Sequence, residues 1–149
     1  MSPAATAGDP PRQERAAQIA ALLFGLAAGP AGWIAQLLLD YGLASYACYP
    51  DGQPHLVAPP PGWDQEKLAL FLIAAVCLLL ALAGLATSWR LWRRDRTLME
   101  RPHHVVEVGE GRSSFLALCG VLTSAGFAFA IAVSAASISV VPACWTFRP

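Results

Sequence analysis

Cys48 and Cys144 are the residues best placed for chemistry, each standing just past a long apolar run and beside an aromatic neighbour, Tyr49 or Trp145. A thiol pair can form a structural bridge, exchange disulfides with another protein, or hold copper. Exchange favours a Cys-x-x-Cys spacing, and copper favours a local set of Met and His; neither surrounds this pair. A structural disulfide is the first expectation. An external-side copper or thiol-redox role for Cys48 and Cys144, with His55 nearby, is the alternative. Cys77 and Cys119 fall at different depths of their apolar runs, so they are not expected to pair and read as small hydrophobes.

The second constellation is Trp33, Gln36 and Asp40, at i, i+3 and i+7 on one helical face, with Tyr41 following. A polar or ionisable group within an apolar span is by default a candidate site. Asp40 stands near the end of its run and can reach water. Gln36 lies deeper and needs a hydrogen-bond partner, for which Ser134, Ser137 and Ser139 are candidates. Structural hydrogen bonding or contact with a partner subunit is favoured here over proton transfer. His103, His104, Glu107 and Glu110 fall in a polar linker and read as solvated charge rather than a metal site. No nucleophile–base pair, phosphate loop or zinc spacing occurs, and the spans hold no histidine for haem. No catalytic residue, metal or cofactor is therefore expected, and nothing supports nucleic-acid binding.

These residues must be positioned by apolar helices. Charged residues make up 13% of the 149-residue chain, against about 25% in soluble domains. Three stretches, roughly 16–39, 68–89 and 115–141, exceed the ~18 apolar residues that can span a bilayer. The first is far longer than the ~7–15 residues of a signal-peptide core, so it is expected to be retained. Arg12 and Arg15 precede the first run, and Arg90, Arg93, Arg94, Arg96, Arg101 and Arg112 separate the second from the third. The opposite side carries only Lys67 and Arg148. Basic residues gather on the cytoplasmic side. The expected fold is therefore all-α, a three-transmembrane-helix bundle with the N-terminus cytoplasmic and the C-terminus external. Both outer cysteines then share one oxidising compartment.

The expected organisation is a single membrane domain over 1–149. A disordered tail covers 1–13, spans cover approximately 16–41, 67–90 and 113–141, an external loop covers 49–63, and a cytoplasmic loop covers 91–112. Pro30 is expected to kink the first helix, and Ser113 or Ser114 to cap the third. Small residues mediate helix contact in lipid. Ala21, Gly25 and Gly29 on the first span, and Gly120, Ser124, Ala128, Ala132 and Ala136 on the third, form four-residue ladders that predict the packing faces. The second helix, rich in Leu78, Leu79, Leu80 and Leu82, is expected to face lipid more than the other two.

The series Gly29-Pro30, Trp33, Gln36, Asp40-Tyr41, Leu43, Tyr46 and Ala47-Cys48 resembles a family of small uncharacterised bacterial inner-membrane proteins with three helices. Gly111-Arg112, Phe115-Leu116-Ala117 and Cys144 match the same family in style, and Gln36 stands where that family often has His. Several members are encoded near haem–copper cytochrome c oxidase subunits. The resemblance implies an accessory subunit or assembly factor of a respiratory complex in the inner membrane. Its partners would be the lipid bilayer and a membrane protein of the cytochrome oxidase type.

Overall fold

The computed structural model describes residues 12–49, 63–99 and 110–140. They form three α-helices: α1 (Arg12–Cys48), α2 (Trp63–Met99) and α3 (Glu110–Val140). Each contains a segment long and apolar enough to cross a membrane: Gln13–Cys48, Gln65–Arg94 and Ser113–Val140. A helix suits this composition because a backbone in hydrocarbon must satisfy its own polar groups. The exterior agrees. Leu38, Val76, Leu79, Leu122 and Phe129 are each at least 66% exposed, far more apolar surface than a water-soluble monomer displays. The chain is a multi-pass membrane protein.

The helices outrun the expected spans. α1 begins at Arg12, so Arg12 and Gln13 are helical, while 1–11 of the expected tail lie outside the described residues. At its other end α1 reaches Cys48, and Tyr49 N–H closes the last turn by donating to Ser45 O at 3.0 Å. α1 continues through Pro30 as one helix. α2 runs on past Arg90, the expected end of its span, to Met99, placing Arg93, Arg94 and Arg96 on a helix rather than in a loop. Trp89 and Trp92 meet there at 5.1 Å, and the Arg96 guanidinium covers the Trp92 ring at 4.4 Å, a cation–π contact that favours continued helix. α3 starts at Glu110, so Ser113 and Ser114 lie within its first turns and do not cap it. Residues 50–62, 100–109 and 141, which complete the expected loops and third span, lie outside the described residues.

Each helix packs against both others. Ala47 of α1, Leu70 of α2 and Ile138 of α3 meet with Leu43 at the Cys48 end, so the chain runs up, down and up. The middle holds Cys77, Ala81, Ala128 and Ile131, with Trp33, Ile73 and Leu78 packed around them. Beyond it, toward the Arg15 end, backbones come closest. A Cβ on Gly25 would run into Ser88 Oγ, and one on Gly120 would strike the same oxygen. A Cβ on Gly84 would sit 2.8 Å from Ala28 Cβ, and one on Gly29 would sit 2.9 Å from Ser124 Cα.

This arrangement corrects two expectations. α2 does not chiefly face lipid: Leu70, Ala74, Cys77, Ala81, Gly84 and Ser88 are all buried. Their alternating four- and three-residue steps keep one seam facing the partners, as in a coiled coil. On α3, Gly120, Ser124 and Ala128 are buried, but Ala132 and Ala136 are exposed. A strict four-residue step overshoots the helical turn by about 40° per rung, so five rungs sweep roughly 160° around the axis. The upper rungs turn outward, and Ile131 takes the inward place. Ala21 is half-buried.

The contacts predict a contrast between two glycines. Gly29→Ala forces a methyl group onto the Ser124 backbone and should destabilise the bundle by roughly 1–3 kcal/mol, as overpacking does. Gly126→Ala meets open space and should be neutral or gain up to about 1 kcal/mol of helix propensity. Reversible unfolding in mixed detergent micelles measures both, and equal effects would contradict the packing described.

Candidate functional site

α1 carries the polar stripe, and its helical period decides what becomes of it. Trp33, Gln36 and Asp40 turn toward the other helices, whereas Tyr41, one residue on, is 77% exposed. Trp33 stacks on Phe127 of α3 with ring centroids 5.4 Å apart and joins the central apolar cluster. Gln36 is fully buried, at 0% exposure. Neither its Nε2 nor its Oε1 has a hydrogen-bond partner, and the buried Oδ1 of Asp40, one turn further along, has none either. The Gln36 amide and Asp40 carboxylate are close neighbours, yet no pair of their atoms comes within 3.5 Å in hydrogen-bonding geometry.

The serines proposed as partners for Gln36 are spent elsewhere. Ser137 Oγ donates to Val133 O at 3.0 Å and Ser139 Oγ to Ala136 O at 2.6 Å, both within α3 and both exposed. Thr87 does likewise on α2, donating to Ala83 O at 2.8 Å. Such back-bonding lets a hydroxyl face lipid without an open donor. Ser134 is half-buried and makes no bond to Gln36.

Ser124 is the exception. Completely buried, it donates across the bundle to Gly25 O on α1 at 2.8 Å. The accepting carbonyl is the neighbour of Leu26 O, the one that the missing N–H of Pro30 leaves without its helical bond. Ser88, 2% exposed, fills the space between Gly25 and Gly120. Gly25, Gly84 and Gly120 thus form one crossing point with Ser88 and Ser124.

No family model, curated protein or solved structure matches this chain.

The cysteines separate cleanly. Cys77 is buried and Cys119 half-buried, and both are free thiols. Cys48 is engaged; Cys144 lies outside the described residues. His55, His103, His104 and Glu107 also lie outside them, and Glu110 enters only as the first residue of α3. Among the described residues no three His, Cys, Asp or Glu side chains converge.

Sequence reasoning missed Gly84 and Ser88, which complete the crossing from the α2 side. The usable signal was the alternation of three- and four-residue steps along α2, which a search for strict four-residue ladders passes over. Glu66, whose place in the first turn of α2 suits the helix dipole, has a buried and unpartnered Oε2.

Removing the cross-bundle bond should cost little but measurably. Ser124→Ala is expected to lose about 0.5–1.5 kcal/mol, in the range of single interhelical or intramolecular hydrogen bonds, whereas Ser139→Ala should be silent. Paired unfolding curves in detergent check this, and an equal loss at both sites would refute the assignment.

Proposed function

We propose that this protein is a non-catalytic integral membrane protein that acts as an accessory subunit or assembly factor of a membrane complex. The observation that carries this reading is the division between interior and exterior. The crossing at Gly25, Gly84 and Gly120 closes the interior to backbone distance, while long apolar side chains cover the outside. A body of this kind has surface to offer laterally within a bilayer. The respiratory, cytochrome oxidase-type partner is drawn from the family that the first helix resembles. Location in a bacterial inner membrane comes from the same likeness. The N-terminus is assigned to the cytoplasm by the arginines that flank α1 and α2.

Within this reading Cys48 and Cys144 form a bridge in the external compartment. An engaged Cys48 beside free Cys77 and Cys119 supports it. The bridge would tie the end of α1 to the segment after α3 and restrict the unfolded chain.

Affinity purification from native membranes should recover subunits of an oxidase, identified by mass spectrometry. If no oxidase component co-purifies, the respiratory assignment fails while the membrane-accessory reading stands or falls on whatever else is captured. Alkylation of the unreduced, denatured chain should label Cys77 and Cys119 only. Labelling of all four cysteines would remove the bridge and favour the copper or thiol-redox alternative.

A further inference from the structure

We propose that Gln36 and Asp40 bind a water molecule enclosed within the bundle. Gln36 is wholly buried, and both heteroatoms of its amide lack partners. One turn along the same stripe, the buried Oδ1 of Asp40 is also open. A fully buried amide with no hydrogen bond is costlier than the immobilisation of one water that would satisfy it. Among the described residues no side chain, Asp40 included, makes a hydrogen bond to this amide. The exposed hydroxyls of Ser137 and Ser139 are committed to their own helix, and Trp33, one turn away, belongs to the apolar cluster.

The donor and acceptor pattern selects the ligand. Oε1 and the carboxylate Oδ1 accept, whereas Nε2 donates. The missing group must therefore donate in two directions and accept from a third. A metal cation would suit the two oxygens but would be opposed by the amide N–H. A proton placed on Asp40 could serve Oε1 and would still leave Nε2 unpaired. Water meets all three atoms, and buried waters typically make about three such bonds. Two of its anchors come from one helix turn, so the site is preformed on α1 and closed by α2 and α3.

Proton-detected solid-state NMR on the full chain in lipid bilayers tests this directly. Magnetisation transfer from water to the Gln36 side-chain amide protons is expected. The same transfer to the Asp40 carboxyl carbon should weaken in Gln36→Met, with the Gly25 and Ser124 backbone shifts unchanged as evidence of an intact bundle. Absence of water transfer to the wild-type Gln36 amide overturns the proposal. So does a shift of both side chains when sodium replaces choline at constant ionic strength, which would identify a bound cation. If Gln36→Met does not fold, the wild-type transfer alone decides.

Discussion

The bundle depends on backbones touching where α1, α2 and α3 cross. Apolar side chains gain nothing by leaving lipid for one another, so cohesion must come from close packing and interhelical hydrogen bonds. Gly25, Gly29, Gly84 and Gly120 supply the closeness, each with too little room for a Cβ without displacement of a neighbour. Ser124 supplies the bond by reaching the Gly25 carbonyl. These elements coincide in space, so each glycine's contact requires the others. The central cluster around Ile131 and the Ala47–Leu70 contact at the Cys48 end extend from this point.

Polar side chains divide according to whether they lie inside or outside that frame. Thr87, Ser137 and Ser139 stand toward the exterior and return their protons to their own helices. Ser88, Ser124 and Gln36 lie within. Two of these, Ser88 and Ser124, are small enough to serve as packing elements as well as polar groups. Gln36 is not, and its long amide is what makes the α1 stripe chemically distinct from the crossing. Aromatic residues follow the same division: Trp33 stacks inward on Phe127, whereas Tyr41 and Tyr46 project outward near the end of α1.

Much of the fold was legible in the sequence because membrane spans are written in composition. Charge-free runs of sufficient length could be nothing shorter than helices, and three such helices exist. Helix ends were less legible: Arg90 to Arg96 resemble a polar linker in composition, yet cation–π contact and helix-forming residues carry α2 to Met99. The packing faces were half legible. Gly25, Gly29, Gly120 and Ser124 announced themselves by size and spacing, but Ala132 and Ala136 share that spacing and lie on the exposed face. Which rungs point inward depends on rotation accumulated along the axis and on the position of the neighbouring helix. Leucine abundance in α2 concealed its seam, since Leu79, Leu80 and Leu82 occupy the opposite side from Ala81, Gly84 and Ser88. The depth of Gln36 was readable; its isolation from Ser134, Ser137 and Ser139 was not, because helix-internal bonding competes for those hydroxyls.

The burial of Gln36 has a consequence for biogenesis. α1 precedes α2 and α3 in the chain and emerges first from the ribosome. Until the later helices arrive, its amide and the Asp40 carboxylate have no protein enclosure, and Gly25 and Gly29 leave its backbone bare. Ser88 and Cys77 come with α2, and Ser124 only with α3. Each helix added therefore removes a different exposed group from the surroundings of α1. The polar face of α1 thus finds its cover only in segments that follow it in the chain.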